Sequence, residues 1–134
     1  MPKTKTYDSR DVFPIVDGVV ITGLAEGTFA TARRLEEKYN VHVGGQGEVS
    51  RAVNANPTGE IIIRTKNTSP HNEYLNAKGK SRKLFPVQLV DRNTGGIQSG
   101  GNEGWLQESP EWGYGAEIET REWRFMIADY DDKE

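Results

Sequence analysis

The chain has 134 residues, of which 34% are hydrophobic, and a formal net charge of −3. It contains no cysteine, which excludes disulfides, zinc sites built on cysteine and thiol nucleophiles. The length suits one domain with a modest core, and no apolar run approaches the roughly 20 residues of a membrane-spanning helix. The negative net charge argues against a dedicated nucleic-acid-binding protein.

The N-terminal third predicts a mobile arm followed by short strands. Residues 1–11 are polar and charged and have no periodicity. Phe13 to Ile21 is rich in β-branched residues, and Asp17-Gly18 divides it into a two-stranded hairpin. A further strand is predicted over Thr28 to Leu35.

A second hairpin is predicted around Gly44-Gly45-Gln46-Gly47. Tyr39 to Val43 alternates apolar and polar residues, which is typical of a half-buried strand. Along the returning strand, Glu48 to Val53, the residues Glu48, Ser50 and Ala52 share one face. The other face carries Val49 and Val53 and is assigned to the core, although Arg51 shares it.

The middle of the chain predicts one buried strand and one helix. Three consecutive isoleucines in Glu60 to Lys66 indicate burial on both faces. Ser69 and Pro70 suit the start of a helix, and Gly79 suits its end. Tyr74 and Leu75 would dock this helix on a sheet.

The C-terminal half predicts two more strands. The first, Leu84 to Val90, contains Pro86, which favours an early or edge position. The glycine-rich stretch Gly95 to Gly115 is expected to form turns carrying Trp105, Trp112 and Tyr114. The final strand, Ala116 to Ala128, precedes an acidic tail over residues 129–134. The predicted fold is therefore mainly β: a single domain, residues 1–134, built as a β-sandwich or small barrel of about eight strands with one flanking α-helix.

Charge is unevenly distributed along the chain. One stretch is basic, with Lys78, Lys80, Arg82 and Lys83, whereas residues 103–134 carry ten acids, among them Glu117, Glu119, Asp129 and Asp131. Two interpretations stay open: an ordinary solvated surface, or two complementary patches that meet head to tail between copies.

The residue types that usually carry chemistry do not form a convincing site. His42 and His71 have no sequence partner, and Asp129, Asp131 and Asp132 lack the remaining ligands of a calcium loop. Glu117 and Glu119 share a strand face, as a hydrolase could use, but Arg121 continues that face and favours a surface charge ladder. Trp105 and Trp112 leave open a carbohydrate-binding module. No catalytic residue, cofactor or metal site is predicted.

Several segments, taken in order and spacing from about Tyr7 to Asp129, resemble the tail-tube proteins of contractile-tailed, myovirus-type phages. They are Gly23–Phe29, Gly47–Arg51, Thr68–Asn72, Pro86–Asp91, the turn at Gly95, Trp105-Leu106 with Pro110, Gly115–Ile118, Thr120–Trp123 and Asp129.

The resemblance implies hexameric rings that stack into a tube inside a contractile sheath, through whose lumen genomic DNA passes. It implies a virion protein made in the host cytoplasm, without a membrane anchor. Its implied partners are further copies of itself and the sheath, tape-measure, baseplate and tail-terminator proteins. Tubes of type VI secretion systems and of phage-tail-like bacteriocins are the nearest alternatives.

Within this interpretation, two sets of residues are assigned to surfaces. The lumen candidates are Glu48, Ser50 and Ala52, because small and acidic side chains would let DNA slide past without binding tightly. The alternative for this face is contact with solvent or with the sheath. The subunit or ring interface candidates are the basic and acidic residues of the two charged stretches: Lys78, Lys80, Arg82, Lys83, Glu117, Glu119, Asp129 and Asp131.

Overall fold

A computed structural model describes residues 4–93 and 95–133, so the predictions made for residues 1–3, Thr94 and Glu134 lie outside the described part. The described residues form ten strands and one α-helix. The strands are β1 Val12–Val16, β2 Val19–Val20, β3 Ala30–Arg34, β4 Tyr39–Val43, β5 Val49–Val53, β6 Gly59–Lys66, β7 Phe85–Asp91, β8 Gln98–Glu108, β9 Thr120–Ile127 and β10 Asp131–Lys133, and the helix is α1 Asn72–Lys80.

Eight of the strands form one antiparallel sheet in the order β2-β1-β7-β8-β9-β6-β3, with β10 also paired to β8. Strands β4 and β5 form a separate two-stranded sheet. The large sheet curls, so that a cleft of about 420 Å³ separates β3 from β1 and β7. The predicted fold class, mainly β with one flanking helix, is confirmed.

The core lies on the concave face of the large sheet. In β9 the buried residues alternate with more exposed ones, which places Trp123, Phe125 and Ile127 inside. The isoleucines of β6 are buried on both faces, as predicted. Leu75 of α1 is fully buried, and the Tyr74 hydroxyl donates to the Val16 carbonyl at 3.0 Å, so both predicted anchors of the helix are confirmed.

The helix begins and ends differently from the prediction. His71 occupies the N-cap position, and the Ser69 hydroxyl, two residues earlier, accepts a hydrogen bond from the His71 N–H. Gly79 lies inside α1, where its missing side chain makes room for Leu106 of β8. The glycine therefore serves packing rather than termination.

Several other boundaries also differ. Gln98 to Glu108 is a strand, not a set of turns, and it includes Trp105. Residues 116–119 precede β9 rather than belonging to it. Pro86 does come early in its strand, but β7 is an inner strand between β1 and β8.

The two predicted tails are partly built into the fold. Asp131–Lys133 forms β10 along the start of β8, so three of the six residues of the predicted acidic tail are in a strand. At the other end, Ser9–Asp11 forms a short 3₁₀ turn and the Asp8 N–H donates to Asn93 Oδ1 at 2.9 Å. Within the described part of the predicted arm, residues 4–7 are exposed and without regular structure.

Candidate assembly surfaces

The β4–β5 hairpin is a strand pair with no core beneath it. All ten of its strand residues are exposed, so the predicted half-burial of β4 is wrong. Pairing places Tyr39 opposite Val53, Val41 opposite Arg51 and Val43 opposite Val49, all on one face. Its four valines are 63–76% exposed.

This exposure corrects the assignment of Val49 and Val53 to the core. The alternation correctly places them on one face, but within the described chain that face is open. The Arg51 guanidinium lies 4.1 Å from the Tyr39 ring centroid, so the residue that interrupts the valines stacks on their own face.

The predicted lumen residues lie on the same hairpin. Ser50 and Ala52 project from its opposite face, paired with His42 and Asn40, and are exposed. Glu48 precedes β5, its carbonyl accepts the Gly44 N–H at 2.8 Å, and its side chain lies against Gly44. The structure therefore groups Glu48, Ser50 and Ala52 on one exposed element.

The predicted basic residues divide into two groups. Lys78 forms a hydrogen-bonded ion pair with Asp17, and the hydrogen bond raises the pKa of Lys78. Lys80, Arg82 and Lys83 are exposed at and after the end of α1. Because Gly79 packs on Leu106, this basic segment leaves the helix beside the C-terminal part of β8.

The predicted acidic residues are also placed differently from one another. The Asp129 carboxylate accepts the N–H groups of Asn102 and Glu103 at 3.1 and 2.9 Å. Burial acts to raise the pKa of Asp129, but these hydrogen bonds outweigh it and the pKa is lowered. Asp131 lies on β10, whereas Glu117 is exposed and Glu119 half-buried before β9.

An acidic cleft, which sequence reasoning missed, lies where β8 ends and β9 begins. It measures about 590 Å³, and four of the residues lining it are glutamates: Glu108, Glu111, Glu119 and Glu122. Arg121 and Arg124 also line it. The cleft contains only Glu119 of the predicted acidic residues.

Arg121 is the least expected residue of the acidic cleft. It is 2% exposed, and its guanidinium carbon lies 5.4 Å from the Trp112 ring and 5.1 Å from the Tyr114 ring. Trp112 in turn packs edge-on against Trp123 at 5.9 Å. Among the described residues, Arg121 Nη1 is buried without a hydrogen-bond partner. The sequence does contain a signal for this burial, because Arg121 alternates along the strand with Trp123 and Phe125 and therefore shares their face.

The geometry does not favour the alternative functions left open by the sequence. Glu117 and Glu119 are not on a strand, and Arg121 is buried beneath Trp112 and Tyr114 instead of continuing an exposed face with them. The two tryptophans of the proposed sugar platform are engaged separately, Trp105 with Gln107 and Trp112 with Trp123. His71 Nδ1 accepts the Thr22 N–H at 3.0 Å, and His42 is exposed on β4. In the described ranges no acid or histidine cluster could hold a metal, and no helix is long and apolar enough to cross a membrane.

Comparison with known proteins finds a relative in sequence. No protein-family model matches the chain. Structural protein ORF10 of Pseudomonas phage KPP10 is 22% identical over 133 residues, which span 90% of this chain and 77% of that protein. The chain is therefore similar to a phage structural protein.

Solved structures share the fold at low sequence identity. The anti-feeding prophage cap, described as the AFP tube terminating cap, contains a chain with a TM-score of 0.62 and 11% identity, covering 99% of this chain and 94% of that one. The sheath/tube terminator of an extracellular contractile injection system (PVC) has a TM-score of 0.61 and 12% identity, and the match covers 98% of this chain and 99% of that one. The sheath-tube complex of a PVC extracellular contractile injection system contains a chain with a TM-score of 0.57 and 12% identity, and the match covers 91% of this chain and 87% of that one.

Proposed function

We propose that this protein is a ring-forming subunit of the inner tube of a contractile phage tail or a related injection system, with a structural and not a catalytic role. The exposed valine face of the β4–β5 hairpin carries this proposal. The comparisons are compatible with it, because all three solved structures come from assemblies whose names include a tube, although two of them are named for its terminator, and the relative in sequence is a phage structural protein.

The hairpin argues for assembly on physical grounds. An isolated two-stranded sheet is marginally stable in water, and a contiguous exposed apolar face usually marks an interaction site. Copies arranged in a ring would cover Val41, Val43, Val49 and Val53 by packing neighbouring hairpins or barrels on them. Ring closure would also remove the open strand edges that otherwise promote aggregation.

The opposite face of the hairpin suits a channel wall. Asn40, Ser50 and Ala52 carry no charge, His42 shares their face, and Glu48 adds negative charge at the hairpin loop. We place Glu48, Ser50 and Ala52 at the lumen, where DNA would pass without the counterion release that accompanies tight binding to lysine or arginine. In this role the subunit joins further copies of itself, with sheath, tape-measure, baseplate and terminator proteins as neighbours in the virion.

A terminator ring at the end of the tube is the second candidate. Two of the similar structures, those with TM-scores of 0.62 and 0.61, are described as a terminating cap and a sheath/tube terminator. A terminator needs the same lateral contacts but exposes one axial face. Counting copies separates the two roles: a tube subunit is present in many rings along each purified tail, whereas a terminator contributes one ring at one end.

The decisive test of assembly replaces two valines of the hairpin. We expect V41S/V49S to leave the monomer folded, because both side chains are already exposed, and to abolish rings or tubes in electron micrographs. The matched control is V20S, another exposed valine at 44% in β2, which should assemble normally. Wild-type protein that stays monomeric at high concentration, or a double variant that assembles normally, would contradict the proposal.

A further inference from the structure

Strand β9 has an edge that β8 leaves open. On one side β9 pairs with β6 over its whole length, from Thr120 to Ile127. On the other side β8 pairs only with Arg124 to Ile127. The first half of β9 therefore has a strand neighbour on one side alone within the described chain.

Two hydrogen bonds identify the backbone groups that face the open edge. The Asn67 N–H donates to the Glu119 carbonyl at 2.8 Å, and the Ala128 N–H donates to the Glu103 carbonyl at 2.9 Å. Since successive residues of an antiparallel strand direct their backbone groups to alternate sides, odd residues of β9 face β6 and even ones face β8. Thr120 and Glu122 thus direct N–H and C=O groups into the open edge. Among the described residues, β8 does not pair with them, and no turn or loop hydrogen bond joins them to another backbone group.

This edge lies in the acidic cleft, which supplies further binding groups. Arg121 brings a buried Nη1 without a partner, and a buried donor is normally satisfied by an acceptor such as a backbone carbonyl. Glu111 and Glu119 have no described cation within 4.0 Å, so they leave negative charge in the cleft. The other two glutamates are paired, Glu108 with Arg124 and Glu122 with Arg64. An extended segment with basic side chains matches this combination.

We infer that the N-terminal arm of a second copy, residues 4–7, adds to this edge as a strand. Thr4, Thr6 and Tyr7 are of types that favour strands, Lys5 supplies positive charge for the glutamates, and all four residues are exposed and without regular structure. The Tyr7 side chain, 68% exposed on its own chain, gains apolar contacts in the cleft. This inference rests on the proposed function and names one of its subunit contacts.

The donor is another copy because the arm begins at the far end of the sheet. Asp8 is held by Asn93, close to the start of β8, whereas the cleft adjoins Glu108 at its end. The 11 residues of β8 span about 35 Å, whereas the four residues of the arm, residues 4–7, reach at most about 14 Å when fully extended. An arm and a cleft at opposite ends of a subunit give the head-to-tail contact that generates rings and filaments.

Cysteine cross-linking tests the contact directly, since the natural chain has no cysteine. Single variants T4C or T6C are mixed with E122C at high concentration and oxidised gently. Directly opposed residues of antiparallel strands have Cα separations of about 4.5–5.5 Å, within disulfide range, so we expect a disulfide between copies for one arm position. E73C on the exposed first turn of α1 is the control partner and should give none.

A second variant measures the contribution of the arm to assembly. Replacing Thr4–Tyr7 by Gly-Ser-Gly-Ser keeps the length but removes the charge and strand preference. We expect an unchanged Tm for the monomer and a rise of at least about tenfold in the concentration needed for half-assembly.

Each combination of results decides between the two proposals. Rings without the disulfide, or with unchanged assembly of the Gly-Ser variant, overturn the arm contact and leave the proposed function standing. A disulfide between copies without rings or tubes supports the arm contact and contradicts the proposed function. Absence of both rejects both.

Discussion

Gly23 occupies a position that a residue with a Cβ can fill only by moving backbone. Its φ is +70°, and a Cβ there would lie 2.7 Å from Ser69 Cβ and 2.8 Å from Ser69 Cα. Ser69 is itself fixed, because its hydroxyl donates to the Thr22 carbonyl at 2.6 Å. We expect G23A to lower the free energy of unfolding by roughly 2–4 kcal/mol, the sum of left-handed backbone strain and overpacking.

Gly27 provides the matched control for Gly23. Its φ is +76°, but no other part of the described chain lies within 4 Å of the position that a Cβ would take. G27A should therefore lower the free energy of unfolding only through left-handed backbone strain, by about 1–2 kcal/mol. Urea denaturation of both variants measures the difference, and equal losses would show that Ser69 yields to the added methyl group.

The burial of Tyr130 predicts that the fold loses stability at alkaline pH. Burial and the hydrogen bond from its hydroxyl to Asp132, 2.8 Å long, raise the pKa of Tyr130 to about 12. The raised pKa means that the folded state holds the proton more tightly, so this stabilisation is complete below about pH 10 and is lost as pH rises towards 12. The expected loss is about 2–3 kcal/mol.

Y130F isolates this effect from the titration of lysines. The variant should be less stable by about 1 kcal/mol at pH 7, because it lacks the hydrogen bond to Asp132. Between about pH 10 and 12 its stability should fall less steeply than that of the natural protein. Parallel slopes in the two proteins would mean that Tyr130 ionises normally in the folded state.

At the scale of elements, the β4–β5 hairpin should depend on neighbours for its order. Within the described chain, its amides are hydrogen-bonded across a single strand pair, and no core covers either face. We expect residues 40–47 and the flanking strands to exchange hydrogen rapidly in the monomer and slowly in assembled rings. Equal protection in the two states would show that the hairpin is ordered by itself.

The second segment expected from the sequence to need neighbours, Gly95–Gly104, is treated differently by the structure. Gln98 to Gly104 lies in β8, where Gln98 to Gly100 pairs with both β7 and β10. Hydrogen exchange should therefore already be slow there in the monomer, which makes this strand an internal reference for the hairpin experiment.

At the scale of the whole molecule, assembly should weaken as salt is added. The exposed Lys80, Arg82 and Lys83, together with the acidic cleft, give one chain surfaces of both signs. Raising salt from about 0.1 M to about 1 M shortens the Debye length from about 10 Å to about 3 Å. Sedimentation should then show smaller oligomers, whereas unchanged sizes would mean that the valine face alone drives the contact.

The channel assignment makes a prediction for an intact particle. If Glu48 lines the lumen, E48K places a positive band in every ring, and each lysine adds a phosphate contact. Tails should still assemble, because Glu48 is exposed on the hairpin, but DNA ejection should slow and become sensitive to salt. Normal ejection through well-formed tails would place Glu48 away from the channel.

Local pattern in the sequence determined where many elements lie and which residues share a face. The turn at Asp17-Gly18, the isoleucines of β6 and the anchoring of α1 by Leu75 follow from backbone preference and apolar periodicity, which act over a few residues. The same alternation placed Val49 and Val53 together on one face of β5. Periodicity specifies a phase, however, and not what covers the face.

Contacts between distant segments decided the rest. Gln98–Glu108 is a strand although it is rich in glycine, because Gly100 and Gly101 let the backbone of Val87 and the side chain of Asp129 approach closely. Arg121 is buried although it is charged, because Trp112 and Tyr114 from the segment before β9 cover it. The open edge of β9 exists only because β8 ends its pairing with β9 at Glu108. Each of these features depends on how separate segments pack and pair in three dimensions, which local composition does not encode.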